Sequence, residues 1–230
     1  MTIEDLLWGR VRRPTRGPKQ GLDLERVITV AVEVADADGL AALTMNRLAK
    51  ALGVGAASLY TYVPGKPALE ALMLDWIIGT GPLPHTLPGG WRERLEAGAR
   101  ADWYGYRAHP WVLHLTVAQV TPGPNLVAWY DSTLAVLEPT GLTEPEKVDV
   151  VESLDAYVRG MARSALDAAP ARDDAPDGAE KVYPALVRAA KAGALAPRAE
   201  ESFEFGLARL LDGVEALVRE RLLPGMEASP

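Results

Sequence analysis

The segment from Gly39 to Lys66 constrains the fold more than any other part of the chain. It has the pattern of a helix-turn-helix: two short helices separated by a turn at Gly53-Val54. Thr44 is placed to cap the first helix, because its hydroxyl can accept a hydrogen bond from a free N–H group of the first turn. Glycine at position 53 suits the left-handed residue that often ends a helix. The second helix is predicted from about Gly55 to Tyr62.

This second helix has the composition of a surface that reads DNA. Small residues let the backbone approach base edges, and hydroxyl groups can bond phosphate oxygens. The outward positions are Ala56, Ala57, Ser58, Tyr60, Thr61 and Tyr62. Lys66 begins the next helix, where a cation beside free N–H groups favours a phosphate. An ordinary helical hairpin with two packed tyrosines has the same periodicity, so both interpretations stay open.

Charge is distributed unevenly along the chain, whose net charge is −7. Residues 1–66 carry nine Lys/Arg and seven Asp/Glu, a net charge of +2, whereas residues 67–230 carry fifteen against twenty-four, or −9. An acidic body would repel DNA and help to direct a basic face toward it. Acidic helices are also common in soluble proteins, so the asymmetry is compatible with a protein that binds no DNA.

The composition also excludes several classes of site. The chain has no cysteine, which excludes disulfides and thiolate metal sites. It has neither a signal-peptide pattern nor an apolar run of about 18 residues, so we expect a cytoplasmic protein without membrane contact. A helical enzyme is the competing class, but no glycine-rich phosphate loop follows a strand and no histidine pair has helical spacing. We therefore predict no catalytic residue, no metal site and no cofactor.

Proline and glycine divide the chain into three parts, predicted as a basic flexible arm (1–21), a helix-turn-helix DNA-binding domain (22–79) and a larger helical domain (80–230). The arm either lies along DNA, contacts nothing, or docks through Leu6, Leu7 and Trp8. No strand alternation appears, so an all-α fold is predicted. The predicted helices are 24–37, 67–78, 91–108, 110–119, 124–137, 144–166, 179–192 and 199–223, and the segment 168–178 is a predicted mobile loop.

Two long helices of the second domain, 144–166 and 199–223, are apolar enough to need a further packing surface. Pairing them with their symmetry mates would give a four-helix dimer interface, and Gly160, Gly206 and Gly213 would let the backbones come close. The residues assigned to this interface are Val151, Leu154, Val158, Phe203, Leu207, Leu210 and Val214. The alternative is packing within one subunit, although a helix-turn-helix normally reads two half-sites as a symmetric dimer.

The helix-turn-helix region resembles the DNA-binding domain of the TetR family of bacterial one-component repressors. The matching segments are Leu43-Thr44, Leu48-Ala-Lys-Ala-Leu-Gly-Val54, Ser58-Leu-Tyr60, Val63 and Lys66-Pro-Ala-Leu69. The segment Phe203–Leu217 also resembles the last dimerisation helix of the tetracycline-repressor subclass. The resemblance implies a homodimer that binds a palindromic double-stranded DNA operator. Residues 80–230 would then bind a small apolar or aromatic effector, which releases the operator.

The resemblance also implies which residues contact the operator. The family's contact positions fall on Thr44, Asn46, Ala56, Ala57, Ser58, Tyr60, Thr61, Tyr62 and Lys66. Tyr60 and Lys66 match phosphate contacts, whereas Asn46 and Thr61 are candidates for bonding base edges, since asparagine has the geometry for adenine. A magnesium–tetracycline site is not implied, because residues 161–164 lack the carboxylate that the tetracycline repressor has there.

The middle helices are rich in aromatic residues, with four of the six tryptophans between residues 91 and 129. An effector pocket should be mostly apolar with a few polar groups, and we assign its lining to Trp103, Arg107, His114 and Trp129. Aromatic side chains also pack in helical cores without binding a ligand, so an ordinary core is the alternative. The helix at 67–78 links the two domains and is the predicted lever between effector and DNA.

Overall fold

The computed structural model describes residues 2–10, 22–115, 121–167 and 179–222, and every regular element within these ranges is helical. The α-helices are α1 (Ile3–Leu7), α2 (Leu24–Asp38), α3 (Met45–Ala51), α4 (Ala56–Leu59), α5 (Lys66–Ile78), α6 (Trp91–Ala108), α7 (Pro124–Val136), α8 (Glu144–Leu166), α9 (Ala179–Val182), α10 (Pro184–Lys191) and α11 (Ala199–Leu222). Short 3₁₀ turns lie at Leu40–Ala42, Pro84–Thr86, Pro110–His114 and Glu138–Thr140. The predicted all-α fold is confirmed.

Most predicted helix bounds agree with the structure to within one residue, and those of α6 and α8 agree in full. The predicted helix 179–192 is wrong as a single element, since it divides at Tyr183. Pro184 has no N–H group to continue the helix and instead starts α10. The predicted helix 110–119 begins as a 3₁₀ turn, and its last four residues lie outside the described ranges, as does the predicted loop 168–178.

Helices α2 to α5 surround one apolar core, in which Leu43, Leu48, Leu59 and Leu69 have no exposed area. Thr44 caps α3 as predicted, its Oγ1 accepting from the backbone N–H of Arg47 at 3.1 Å. Gly53 has a φ of 67°, the left-handed conformation that lets the chain turn from α3 toward α4. Local signals in the sequence therefore account for the helix-turn-helix geometry.

The start of the chain departs from the predicted flexible arm. Residues 3–7 form α1, and Thr2 caps it by accepting from the backbone N–H of Asp5 at 3.0 Å. Leu6 and Leu7 are each 8% exposed and belong to the same core as α5, whereas Trp8 stays exposed. Docking, one of the three alternatives, is realised because it removes two leucine side chains from water. Residues 11–21 lie outside the described ranges.

Helices α6, α7, α8 and α11 surround a second core. The indole of Trp103 is fully buried and stacks on Phe203, with 4.5 Å between ring centroids. Arg92 at the start of α6 donates to Asp212 at 2.7 Å and to Glu215 at 2.8 Å, both on α11. These contacts fix α11 along α6, with the face of α11 that carries Phe203 turned inward.

The segment after α6 belongs to both domains. Trp111, Val112 and Leu115 are buried in the core of the helix-turn-helix domain, although they follow the first helix of the larger domain. The indole Nε1 of Trp111 donates to Asp36 Oδ1 of α2 at 2.7 Å, and His109 Nδ1 lies 2.8 Å from the same oxygen. The two domains therefore interlock rather than meeting only through α5.

A second junction joins α5 to α7. Asp75 is buried, and its Oδ1 accepts from the backbone N–H groups of Asn125 and Leu126, each at 3.0 Å. It thereby caps the N-terminus of α7 from a neighbouring helix. Gly123 is close enough that any Cβ there would overlap the Asp75 carboxylate. Residues 79–90 then follow the surface of α7, where His85 N donates to Ser132 Oγ at 3.0 Å.

Candidate DNA-binding face and effector cavity

The surface of α3 and α4 presents most of the residues predicted to contact DNA. Six of the predicted positions are exposed along it: Tyr60, which has 49% of its surface accessible, and five others. The five are Thr44, Asn46, Ala57, Ser58 and Thr61. Ala56 is half-buried and packs against the core. The face therefore combines small side chains with hydroxyl groups and one amide, which is a set that can approach a groove closely.

Tyr62 does not face outward, which corrects the sequence-based assignment. It is half-buried, and its hydroxyl donates to the carbonyl oxygen of Leu22 at 3.1 Å. The side chain packs against the core of the helix-turn-helix domain and holds Leu22, two residues before α2 begins. Tyr62 therefore has a structural contact to a residue forty positions earlier, which no local pattern reveals.

Lys66 is also engaged within the protein. Its Nζ donates to the carbonyl oxygen of Leu40 at 2.9 Å and lies 3.8 Å from Glu70 Oε1. An ammonium group has three donors, so a phosphate oxygen can still be bonded from this position. Two further cations on α3, Arg47 and Lys50, are exposed beside the face, and Arg47 pairs with Asp38. These two cations contribute to the positive charge of residues 1–66, but no DNA contact is predicted for them from the sequence.

A small cavity lies between α6, α7 and α8, with Pro84 at one side. Its volume is about 10 Å³, room for about one water molecule. Its lining consists of Pro84, Arg94, Leu95, Gly98, Ala99, Asp102, Trp129, Thr133, Val151, Leu154, Asp155 and Val158. The walls are mostly apolar, and the charged groups come from α6 and α8.

The four residues predicted to line an effector pocket do not converge. Trp129 lines the cavity, but Trp103 is directed to Phe203 and has no exposed area. Arg107 is exposed, with its guanidinium 5.5 Å from the Trp103 ring, and His114 is exposed at the end of the 3₁₀ turn. The aromatic content of the middle helices therefore serves mainly the core, as the alternative interpretation had it.

Two carboxylates that the prediction omitted lie at one end of the cavity. Asp155 on α8 accepts from the hydroxyl of Tyr106 at 3.2 Å and from Arg159 Nε at 3.0 Å. Among the described residues, the Asp102 carboxylate has neither a hydrogen-bond donor nor an ion-pair partner, and burial, with repulsion by Asp155, raises its pKa to about 7. A sequence signal existed, because Asp102 follows Leu95 and Ala99 at helical spacing on the face of α6 that lines the cavity.

The residues assigned to the dimer interface need a correction. Val151, Leu154, Val158, Phe203 and Leu207 are at most 7% exposed within a single chain. A side chain that its own subunit covers has no area left for a partner, so these five pack within the subunit. Leu210 and Val214 remain partly exposed on α11. A partner that packed on α8 and α11 would therefore contact their outward faces.

The parts of the chain that the structure describes contain neither a metal-binding group nor a membrane-spanning helix. No group of three histidine, aspartate or glutamate residues there is arranged to hold a metal ion. None of the helices described above has the length and apolar character needed to cross a membrane.

Comparison with known proteins gives matches over both domains. Residues 27–71 match the family model for bacterial regulatory proteins of the tetR family, and residues 83–218 match the model for the tetracyclin repressor-like C-terminal domain. The HTH-type transcriptional repressor DrrR1 of Streptomyces coeruleorubidus is 41% identical, covering 94% of this chain and 86% of its own. The tetracycline repressor protein class E of Escherichia coli is 24% identical, covering 87% and 94%.

Solved structures show the same architecture. Apo ActR from Streptomyces coelicolor superposes with a TM-score of 0.76 at 26% identity, covering 88% of this chain and 99% of its own. ActR in complex with actinorhodin superposes with a TM-score of 0.73 at 26% identity, covering 86% and 99%. Since the matching models span both domains and a relative above 40% identity spans nearly the whole chain, this protein belongs to the TetR family of DNA-binding transcriptional regulators.

Proposed function

We propose that this protein is a ligand-responsive repressor that binds a palindromic operator as a homodimer and is released by a small, largely apolar or aromatic effector. The observation that carries the proposal is the exposed face of α3 and α4 on a domain that interlocks with a larger helical domain. The repressor name of DrrR1 and the actinorhodin complex of ActR support the two halves of the proposal. No catalytic residue is assigned.

The operator contacts divide into two groups. Tyr60 and Lys66 are assigned to phosphates, because a phenol and an ammonium group can donate to phosphate oxygens whatever the DNA sequence. Asn46 and Thr61 are assigned to base edges, with Ala57 and Ser58 permitting close approach. Thr44 retains its role as the cap of α3 while its position borders the backbone of the DNA.

The outward faces of α8 and α11 suit a symmetric four-helix interface. An added Cβ at Gly160 or at Gly213 would meet nothing within 4 Å, so both positions border open space in the single chain. Small exposed residues (Ser153, Ala156, Ser164 and Ala216) lie on the same faces, and the partly exposed Leu210 and Val214 add apolar area. Two copies related by a twofold axis would bring these faces together and set two reading surfaces at a fixed spacing.

The cavity between α6, α7 and α8 is the proposed effector site. A wider groove on the outer side of α7, about 340 Å³ and open to solvent, is lined by Pro122, Leu126, Val127, Tyr130, Asp131 and Leu134. The enclosed site is preferred, because drug-sized ligands are usually buried over most of their surface. An effector can enter it only if the surrounding helices separate, since the present volume holds about one water molecule.

If α6 separated from α7, the movement would be transmitted to the DNA-binding domain by two routes. Movement of α7 would pull on Asp75, which caps it from α5. Movement of α6 would shift Trp111, whose indole lies in the DNA-binding core and bonds Asp36 of α2. A ligand that binds the separated state better than the closed state would therefore favour a dimer whose reading faces are spaced differently.

The first test is selection of the purified protein on random duplex DNA, with sequencing of the bound fraction and a salt titration. We expect an enriched palindrome whose affinity falls steeply as salt rises, because phosphate contacts release counterions. A protein with Asn46→Ala should lose preference at one position in each half-site. Absence of any enriched sequence, or enrichment of a single half-site with one bound monomer, would contradict the operator proposal.

The small volume of the cavity favours a second candidate, an effector-independent DNA-binding protein or an activator. The two candidates differ once the operator is known. A compound that binds the free protein and releases the operator supports the repressor with an effector. If the compounds that bind the free protein leave operator affinity unchanged, the second candidate is favoured.

A further inference from the structure

We propose that the effector cavity takes a ligand with a protonated amine on an apolar or aromatic body, and that the carboxylate of Asp102 receives this amine. The inference rests on the proposed effector function and adds the chemical class of the ligand. It stands on the position of Asp102, on the charges around it and on the shape of the cavity.

Asp102 occupies a position where a hydrophobic residue would pack. It follows Leu95 and Ala99 on one stripe of α6, and all three line the cavity. No described residue donates a hydrogen bond to its carboxylate or forms an ion pair with it. Asp102 is half-buried, and a carboxylate held in a mostly apolar wall without a partner costs free energy. Such groups in native proteins often have a functional reason.

The charges at this end of the cavity favour a cation. Asp155 on α8 also lines the cavity, but it is already bonded by Tyr106 and by Arg159. Arg159 also lies over the Tyr106 ring at 5.1 Å, so its position is fixed by two contacts. Arg94 also lines the cavity, but it lies two helical turns before Asp102 on α6, and Arg159 is bonded to Asp155. A positive charge placed beside Asp102 would therefore pair with a carboxylate that has no partner among the described residues. An anionic ligand would meet repulsion from both carboxylates.

The lining near Arg94 indicates where the rest of the ligand would lie once the helices separate. Arg94 lines the cavity two helical turns before Asp102, about 12 Å away along α6. The Nε of Arg94 is buried and has no partner among the described residues, so it can donate to a carbonyl or hydroxyl oxygen of the ligand. Between Arg94 and Asp102 the walls are apolar, and Trp129 offers an indole against which a ring could pack.

A protonated amine fits Asp102 better than a hydroxyl group does. The carboxylate is close to half ionised near neutral pH, because burial and Asp155 raise its pKa to about 7. A cation beside it would lower that pKa and hold the group ionised, whereas a hydroxyl would leave the charge uncompensated. Amine affinity should consequently rise with pH through this range, with Asp155, Arg159, Tyr106 and Arg94 as the other charged or titratable groups that face the site.

The test is isothermal titration calorimetry of the full chain, free of DNA, with three matched probes. They are 1-naphthylmethylamine, the neutral 1-naphthylmethanol and the anionic 1-naphthoic acid. The proteins are the wild type, Asp102→Asn, and Asp149→Asn as a control for loss of an exposed charge on α8. Thermal melts of all three proteins establish that each is folded.

We expect the wild type and Asp149→Asn to bind the amine about 10- to 100-fold more tightly than the alcohol, which is the range for one charge-assisted hydrogen bond. Asp102→Asn should remove this preference while it still binds the alcohol, and the wild-type preference should grow between pH 6 and pH 8. Equal affinity for amine and alcohol, an unchanged preference in Asp102→Asn, or no binding of any probe would each overturn the inference. Because no DNA is present, failure here is separate from failure of the operator selection.

Discussion

Asp102 illustrates how a side chain that is unfavourable for folding becomes a candidate for ligand binding. Its pKa is raised to about 7, so its ionised form is less stable in the folded protein than in the unfolded chain. The contribution of this group to the free energy of unfolding is therefore most favourable below its ordinary pKa. It is lost as pH rises toward the pKa in the folded protein. Strained or unpaired groups of this kind often mark functional positions.

Replacement of Asp102 by asparagine should stabilise the protein, and more so at high pH. We expect a gain of about 1–3 kcal/mol in the free energy of unfolding at pH 8, with little gain near pH 4. Urea unfolding at the two pH values measures it. A gain that is the same at both pH values would show that Asp102 is not held in an unfavourable ionised state.

The two tyrosines that follow α4 should behave in opposite ways. Tyr60→Phe removes an exposed hydroxyl, so operator affinity should fall about 5- to 20-fold with little change in stability. Tyr62→Phe removes the bond to the Leu22 carbonyl and should cost about 1 kcal/mol of stability with little change in affinity. Fluorescence anisotropy with labelled operator and thermal melts separate the two. If both variants weakened DNA binding equally, Tyr62 would be a DNA contact after all.

Three residues, Thr44, Tyr62 and Trp103, show what a sequence can and cannot predict. The Thr44 cap was predictable because its partner is three residues away. The inward orientation of the Tyr62 side chain was not predictable, since it depends on a hydrogen bond to a carbonyl forty residues earlier. The residues assigned to the effector pocket were the least well predicted. Helical periodicity identifies the buried face of a helix but does not say which neighbouring helix covers it. Trp103 was therefore assigned to a pocket although it stacks on Phe203.

At the scale of elements, helix bounds were predictable because proline, glycine and capping residues act locally. Glu144–Leu166 begins with a capping box between Thr143 and Glu146, and α7 begins at Pro124. The contacts between elements were not predictable, since Asp75 and the backbone it caps are fifty residues apart in sequence. This junction of α5 and α7 is where the lever predicted from sequence can be tested.

Asp75→Ala should remove the cap of α7 while Asp75→Asn keeps an oxygen acceptor in place. We expect a loss of about 1–3 kcal/mol for the alanine variant and a smaller loss for asparagine, because two buried backbone N–H groups would otherwise lack an acceptor. If α5 transmits the signal, the alanine variant should also bind effector yet release the operator less completely. An alanine variant with normal stability would rule out the capping role, and normal release would rule out this route of transmission.

At the scale of the whole molecule, the proposed dimer interface is formed by the outward faces of α8 and α11. Gly160→Phe fills open space in the single chain, so the subunit should fold, but two such faces could not meet closely. We expect a weaker dimer, by about 10-fold or more in dissociation constant, since overpacking an interface costs 1–3 kcal/mol. Gly105→Phe on α6, which also borders open space, is the matched control.

Sedimentation velocity over a range of protein concentrations measures this effect. Dimers of equal stability for Gly160→Phe and the control would place the interface elsewhere. A wild-type protein that stays monomeric at all concentrations would contradict the dimer itself.

The burial of Trp111 among the helices of the DNA-binding domain has a consequence for protein engineering. Regulators with two domains can be recombined by fusing the effector-binding domain of one protein to the DNA-binding domain of another. Here a junction placed after α5 would separate Leu69 and its neighbours from Trp111, Val112 and Leu115, and would leave Asp36 without its indole donor. A chimera in which residues 109–115 come from the same protein as the DNA-binding domain should therefore be soluble and active. A chimera joined in the linker after α5, with residues 109–115 from the other protein, should aggregate.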